Sequence, residues 1–144
     1  IAGNPKKTYL PPKRLDVVPD FDFAPLDAAY SRLKASAWNY EKALNRFKKG
    51  SLSAEQKAQI NSLLKNVEQS MLRENGLPRR DWFKHMIYAP GFYTGYGVKT
   101  LPGIREGLEE RNWDEVNLFI SEVAKALDRA AATINNATTI LSGN

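Results

Sequence analysis

Residues 113–141 read WDEVNLFISEVAKALDRAAATINNATTIL, and their apolar side chains recur alternately three and four positions apart. That spacing puts those side chains on one face of an α-helix, so the stretch predicts a long helix and decides the fold class. The face comprises Trp113, Val116, Ile120, Val123, Leu127, Ala130, Ile134, Ala137 and Leu141. Asn112 followed by Glu115 predicts the N-terminal cap, and Gly143 predicts the end of the helix.

This long helix carries more apolar surface than one intramolecular contact needs. A second stripe of Phe119, Ala126 and Ala131 widens the face with mostly small side chains. We therefore expect self-association through a two-fold contact that includes this helix. The candidate interface residues are Trp113, Ile120, Leu127 and Ile134. A role in the core of one protomer is the alternative that periodicity alone leaves open.

Upstream, residues 25–47 show the same periodicity and predict a first helix. Its apolar positions form a heptad seam of Leu26, Tyr30, Leu33, Ala37, Tyr40, Leu44 and Phe47. Pro25 suits the first helical turn because its ring fixes φ where no amide donor is needed. Lys48, Lys49 and Gly50 predict the C-terminal end of this helix.

The remaining helices follow from their capping signals. Ser53 with Gln56 matches a capping box, and the apolar face after it runs to Met71 before the turn at residues 75–78. Pro102 opens a short third helix. The sequence thus predicts an all-α domain over residues 25–144, a four-helix-bundle-like fold whose first two helices are antiparallel. We expect residues 1–24 to form an extended arm, whose apolar side chains Leu10, Val17, Val18, Phe21 and Phe23 lie against the body.

Between helices 2 and 3, residues 85–104 read HMIYAPGFYTGYGVKTLPGI and predict a long irregular loop. The stretch holds the only histidine, four of the nine glycines and three of the six tyrosines. A long loop inside a helical domain is more often functional than accidental. We interpret the residues that fix its shape as His85, Tyr88, Pro90, Pro102 and Gly103.

Composition narrows the function classes. The chain has 144 residues, a net charge of +5 and no cysteine, which excludes disulfides and thiolate metal sites. Its basic residues are scattered rather than arranged in a stripe, so we expect no nucleic-acid partner. No apolar run approaches a membrane span, and we expect no membrane contact by this domain.

The chemistry available to the chain is sparse. One histidine cannot build a histidine-rich zinc site, and no HExxH motif or glycine-rich phosphate loop is present. His85 lies in an apolar context, which favours packing or hydrogen bonding over a role as a catalytic base. We therefore expect this chain alone to have no catalytic residues, no metal and no enzymatic activity.

Several motifs together resemble a known family. They are Gly76-Leu77-Pro78, the run WFKHMIYAP at residues 82–90, Tyr96, and LPGI at residues 101–104. This pattern is similar to the C-terminal dimerisation domain shared by transferrin receptor and glutamate carboxypeptidase II. The resemblance covers roughly residues 25–144 and leaves the arm uncovered.

The resemblance implies a homodimerisation domain within a larger protein, on the extracellular or lumenal side of a membrane. In the peptidase members, zinc and the catalytic base belong to a protease-like domain, which would be this domain's other partner. The dimerisation domain lends its loop to the substrate pocket, where a tyrosine at the position of Tyr96 holds a terminal carboxylate. Glutamate-preferring enzymes carry a lysine at the position of Gly95, so Gly95 argues against glutamate preference. Lys99 is the nearest replacement charge, and a Gly95→Lys change would restore the preference only if Gly95 has a negative φ.

Two other functions stay open at this point. One is a non-catalytic, transferrin-receptor-like protein in which the domain dimerises and binds a protein partner. The other is a free-standing helical bundle that binds an acidic partner through its basic surface.

Overall fold

The computed structural model describes residues 14–47 and 52–143. Within them the chain forms four helices and one small sheet, so the predicted all-α class is confirmed. The helices are α1 (Ala24–Arg46), α2 (Ala54–Asn66), α3 (Pro102–Glu110) and α4 (Trp113–Ser142), with a 3₁₀ turn at Gln69–Met71 and strands β1 (Tyr88–Pro90) and β2 (Val98–Thr100). None of these helices combines the length and apolarity that crossing a lipid bilayer requires.

Three helix ends form as their capping residues predict, whereas α2 ends at Asn66, short of the predicted Met71, and a 3₁₀ turn follows it. Ser53 Oγ accepts from the Gln56 amide at 3.2 Å while Gln56 Oε1 accepts from the Ser53 amide at 2.9 Å, which completes the capping box of α2. Asn112 Oδ1 accepts from the Glu115 amide at 3.2 Å and caps α4. Gly143 ends α4 in the left-handed conformation, with φ of +77°. The predicted end of α1 at residues 48–50 lies outside the described residues.

Helix α4 is the centre of the molecule, because α1, α2, α3 and the 3₁₀ turn all pack against it. Its buried side chains form one face that is wider than a single seam. The buried positions are Val116, Phe119, Ile120, Val123, Ala124, Ala126, Leu127, Ala130, Ala131, Ala137 and Leu141. The second stripe predicted from the sequence therefore faces neighbouring helices of the same protomer.

The order of contacts gives the helix directions along α4. Phe21, just before α1, packs against Trp113 with ring centroids 5.8 Å apart, and Arg32 farther along pairs with Asp128 at 2.7 Å. Because the contacts move toward the C-terminal ends of both helices together, α1 runs parallel to α4.

Helix α2 runs the other way. Ile60 packs with Ala137, whereas Ser70 in the later 3₁₀ turn bonds with Thr133 at 3.0 Å. The predicted opposite direction of α1 and α2 is thus confirmed, although the two helices meet mainly through α4 rather than against each other.

The predicted seam of α1 is partly wrong. Tyr30 and Leu44 are 59% and 50% exposed, and Ala37 is exposed as well. The buried positions are Ala29 beside Tyr30 and Ser36 beside Ala37. Small side chains lie there because α1 approaches α4 closely and leaves no room for a tyrosine. Leu26, Leu33, Tyr40 and Phe47 face inward as predicted.

The arm departs from its expected position along part of its length. Val17 and Val18 are exposed, so the expectation that they pack against the body is wrong. Phe21 does pack against the core. The Phe23 ring makes an edge contact with the Phe21 ring, and their centroids are 6.5 Å apart. Residues 1–13, including Leu10, lie outside the described part of the chain.

Candidate functional site

The segment between α2 and α3 is not wholly irregular, which corrects the sequence prediction. Strands β1 and β2 pair antiparallel, with Ala89 opposite Lys99. Strands of three residues are too short to show a readable alternation of apolar and polar side chains. The hairpin ends in a loop at residues 91–97, which we call the tip loop.

The tip loop is closed by its own backbone. The Gly91 amide donates to the Gly97 carbonyl, and the Gly95 amide donates to the Gly91 carbonyl, both at 3.0 Å. Tyr96 is fully exposed, with a relative accessibility of 104%, and Tyr93 is 73% exposed. The loop therefore presents two phenols to whatever lies outside this domain.

Beneath the tip loop lies a buried ion pair that joins three parts of the chain. Arg80 and Glu106 are each 3% exposed and pair at 2.5 Å. Arg80 Nη1 donates to the Pro90 carbonyl at 2.6 Å, and Glu106 Oε1 accepts from the Phe92 amide at 2.8 Å. No local sequence pattern predicts this pair, because its members are 26 positions apart and belong to no periodic face.

At the base of the hairpin, the His85 side chain forms hydrogen bonds with backbone amides. Its Nδ1 accepts from the Ile87 amide at 3.2 Å, and its ring stacks on Tyr88 with centroids 4.1 Å apart. The Tyr88 hydroxyl donates to the Glu68 carboxylate, and this bond raises the pKa of Tyr88. A ring nitrogen occupied by a backbone amide fits a structural histidine better than a catalytic base.

The hairpin is joined to α3 through Pro102 and Gly103. Pro102 is fully buried, and a Cβ on Gly103 would lie 2.1 Å from Cδ1 of Phe119. Leu101 precedes them with φ of +48°, a left-handed conformation that costs a non-glycine residue about 1 kcal/mol. Only glycine at position 103 lets α3 approach α4 this closely.

The structure also describes Gly95 and Lys99, the two residues that the sequence analysis connected with substrate preference. Gly95 has φ of +59°, so the negative φ required for the Gly95→Lys change is absent. Lys99 pairs with Glu109 on α3 and is 13% exposed, so its charge is already partnered. A lysine at position 95 would be strained, although the space around it is open.

The four candidate interface residues on α4 occupy two environments. Ile120 and Leu127 are 3% and 9% exposed and belong to the core of the protomer. Trp113 and Ile134 are half-buried. Ile120 and Leu127 therefore offer little surface to a second copy, whereas Trp113 and Ile134 are partly accessible.

Large exposed apolar side chains lie instead on α1. Tyr30, Trp38 and Leu44 are each at least half exposed, and we call these three side chains the outer face of α1. The Lys42 ammonium lies 3.2 Å from the centre of the Trp38 ring. Aromatic side chains are enriched at protein interfaces, so Tyr30 and Trp38 are candidates for an interaction surface.

The parts of the chain that the structure covers contain no group of three or more His, Cys, Asp or Glu side chains placed to hold a metal ion.

The sequence matches the transferrin receptor-like dimerisation domain over residues 21–135. The chain belongs to this family. The match includes all four helices up to residue 135 and the whole hairpin, so the dimerisation-domain fold carries the tip loop within it.

The relatives of this transferrin receptor-like domain include peptidases and an inactive homologue. A probable glutamate carboxypeptidase of Arthroderma benhamiae is 26% identical over 118 residues, 82% of this chain and 16% of the relative. An aminopeptidase of Rattus norvegicus is 27% identical over 127 residues, 83% of this chain and 17% of the relative. An inactive zinc metalloprotease of Schizosaccharomyces pombe is 34% identical over 70 residues, 49% of this chain and 9% of the relative. The chain spans about one sixth of the length of the first two.

Proposed function

We propose that this chain is the homodimerisation domain of a larger glutamate carboxypeptidase-like zinc peptidase, and that its tip loop completes the substrate pocket of a protease-like domain. The observation that carries the proposal is Tyr96, a fully exposed tyrosine on a tip loop whose first residues are held by buried contacts. An exposed aromatic side chain on an anchored loop is suited to contact a ligand held by another domain.

Tyr96 would bind the substrate by hydrogen bonding. A phenol donates a hydrogen bond to a carboxylate and carries no charge of its own at neutral pH. Bonds to charged acceptors are the stronger ones, which suits capture of a free C-terminal carboxylate. Zinc in the parent's protease-like domain would supply the activated water, while this chain would bind and orient the peptide.

The kinetic test uses the full-length parent protein. Tyr96→Phe removes one hydrogen bond to a charged group and is expected to lower kcat/KM roughly tenfold to a hundredfold on peptides with a free C-terminus. Tyr93→Phe is the matched control, because it removes a second exposed phenol from the same loop. Equal kcat/KM for both variants and the wild type would contradict the pocket role.

Self-association is the second part of the proposal, and the outer face of α1 is its best-supported surface. Sedimentation equilibrium of the wild type is expected to show a dimer that Trp38→Asp weakens. Ile134→Asp tests the α4 surface favoured by the sequence, because Ile134 is the partly exposed member of the α4 seam near its C-terminal end. If Trp38→Asp left the dimer unchanged and Ile134→Asp dissociated it, the interface would be assigned to α4 instead.

A non-catalytic, receptor-like parent is the second candidate, and Gly95 is the observation that favours it. The resemblance predicts a lysine at this position in glutamate-preferring enzymes, and the left-handed backbone here disfavours that side chain. Zinc analysis of the purified full-length parent separates the two candidates. Stoichiometric zinc together with peptide hydrolysis would support the peptidase, whereas a parent protein with neither zinc nor hydrolysis would support the receptor-like candidate.

A further inference from the structure

We infer that Arg80 and Glu106 are positioning residues for Tyr96, acting as a buried clamp that sets the direction of the tip loop. The consequence for substrate binding rests on the function proposed above. The clamp itself is a property of this chain and can be measured without any substrate.

The clamp fixes the tip loop at its first residues. Arg80 holds the Pro90 carbonyl, and Glu106 holds the Phe92 amide, so two bonds bracket Gly91. Each bond has one charged partner, and the two charged groups also bind each other. Charge-assisted bonds are about twice as strong as neutral ones, and here they are shielded from water.

The Phe92 side chain is held as well as its backbone. The Arg79 and Arg80 guanidinium carbons lie 5.3 and 5.6 Å from the centre of the Phe92 ring. Arg79 is itself held by ion pairs with Glu110 and Glu115, at 3.1 and 3.2 Å. Phe92 therefore has a fixed place on the body of the domain.

Beyond Phe92 the restraints on the loop come from within the loop. The bonds that close residues 93–97 join Gly95 to Gly91 and Gly91 to Gly97. Tyr96 is fully exposed and gains no position from packing. The loop is thus a small closed unit, which the clamp holds to the body at its first residues and the pairing of β2 with β1 holds at its far end.

The geometry also separates positioning from stability. Removing one member of a buried ion pair leaves an unpaired charge and destabilises the fold, whereas replacing both with apolar side chains of similar size is often neutral. The double variant Arg80→Met/Glu106→Met should therefore fold with a melting temperature close to that of the wild type, yet lose both bonds to the loop.

The experiment compares hydrogen exchange and kinetics in the full-length parent protein. In Arg80→Met/Glu106→Met, amides of residues 91–97 are expected to exchange roughly tenfold to a hundredfold faster, since a charge-assisted bond is lost at Phe92. KM should rise while kcat changes less, and adding Tyr96→Phe should have little further effect. The matched control is Arg32→Met/Asp128→Met, which removes an exposed pair between α1 and α4.

The outcomes distinguish the clamp from the proposed function. Faster loop exchange confined to the Arg80/Glu106 variant supports the clamp, and unchanged exchange overturns it. Faster exchange with unchanged kinetics keeps the clamp and removes the pocket role of Tyr96. If the double variant fails to fold, Arg80→Lys replaces it, because an ammonium keeps the charge but lacks the fork that reaches Pro90 and Glu106 together. Unchanged loop exchange in that variant also overturns the clamp.

Discussion

Gly103→Ala is the substitution whose effect follows most directly from the structure. A Cβ at position 103 would meet three atoms of the Phe119 ring, Cδ1 at 2.1 Å, Cγ at 2.3 Å and Cε1 at 2.6 Å. Ordinary contact begins near 3.4 Å, so the shortest overlap exceeds 1 Å. Turning the ring about its Cβ–Cγ bond leaves Cγ in place. The clash therefore persists unless α3 moves or Phe119 leaves its rotamer.

Neither movement is free, because Phe119 is 1% exposed in the centre of the core. Forcing an extra methyl group into a packed core costs about 1–3 kcal/mol. Alanine regains up to about 1 kcal/mol of helix propensity over glycine, but this gain is smaller in the first turn of a helix. We expect Gly103→Ala to lower the free energy of unfolding by about 0.5–2.5 kcal/mol once this gain is subtracted.

Urea unfolding followed by circular dichroism measures this change. The control is Gly97→Ala, where a new Cβ has Thr94 Oγ1 at 3.9 Å as its nearest neighbour, and we expect a change within about 0.5 kcal/mol. In a Phe119→Leu background, the loss from Gly103→Ala should shrink by about 1 kcal/mol or more, since the two sites are in contact. Equal stability of the Gly103 and Gly97 variants would refute the packing argument.

Three further predictions concern single side chains. Glu122→Gln should lower stability near neutral pH by about 0.5–1.5 kcal/mol, because Glu122 binds Lys125 and Arg73. Those bonds lower the Glu122 pKa. The stabilisation that ionised Glu122 contributes is therefore complete above the ordinary glutamate pKa and is lost as pH falls through the lowered value. The unfolding curves of the variant and the wild type should converge in acid. Tyr88→Phe should reduce the loss of stability at alkaline pH, because the bond to Glu68 raises the Tyr88 pKa. The wild type keeps the stabilisation from this bond below the ordinary tyrosine pKa and loses it as pH rises through the raised value. A thermal melting series from pH 8 to about pH 11 checks this. Ile120→Asp should unfold the protomer rather than merely separate a dimer, because Ile120 is 3% exposed, and circular dichroism with sedimentation distinguishes the two outcomes.

The helices were predictable because their signals are local. The capping box at Ser53, the cap at Asn112 and the end at Gly143 each depend on residues within three or four positions. The face of α1 was harder, since Tyr30 and Ala29 are adjacent and either could begin a seam of period 3.5. Burial of Ala29 depends on how closely α4 approaches, which the α1 sequence does not contain.

The candidate site divides in the same way. Glycine and proline content identified the loop, and a resemblance singled out Tyr96. The clamp was missed because Arg80 and Glu106 meet only after α3 has packed beside the hairpin. The positive φ of Gly95 was likewise unreadable, because glycine occupies both halves of the φ range.

The central position of α4 also dictates the order in which this domain can mature on the ribosome. Helices α1 and α2 have their main packing surface on α4, which begins only at Trp113. At a synthesis rate of about 5–20 residues per second, the 30 residues of α4 take roughly 2–6 seconds to emerge. During that interval the inward faces of α1 and α2 remain in water, open to chaperones and to other nascent chains. Any truncation before α4 would make that exposure permanent.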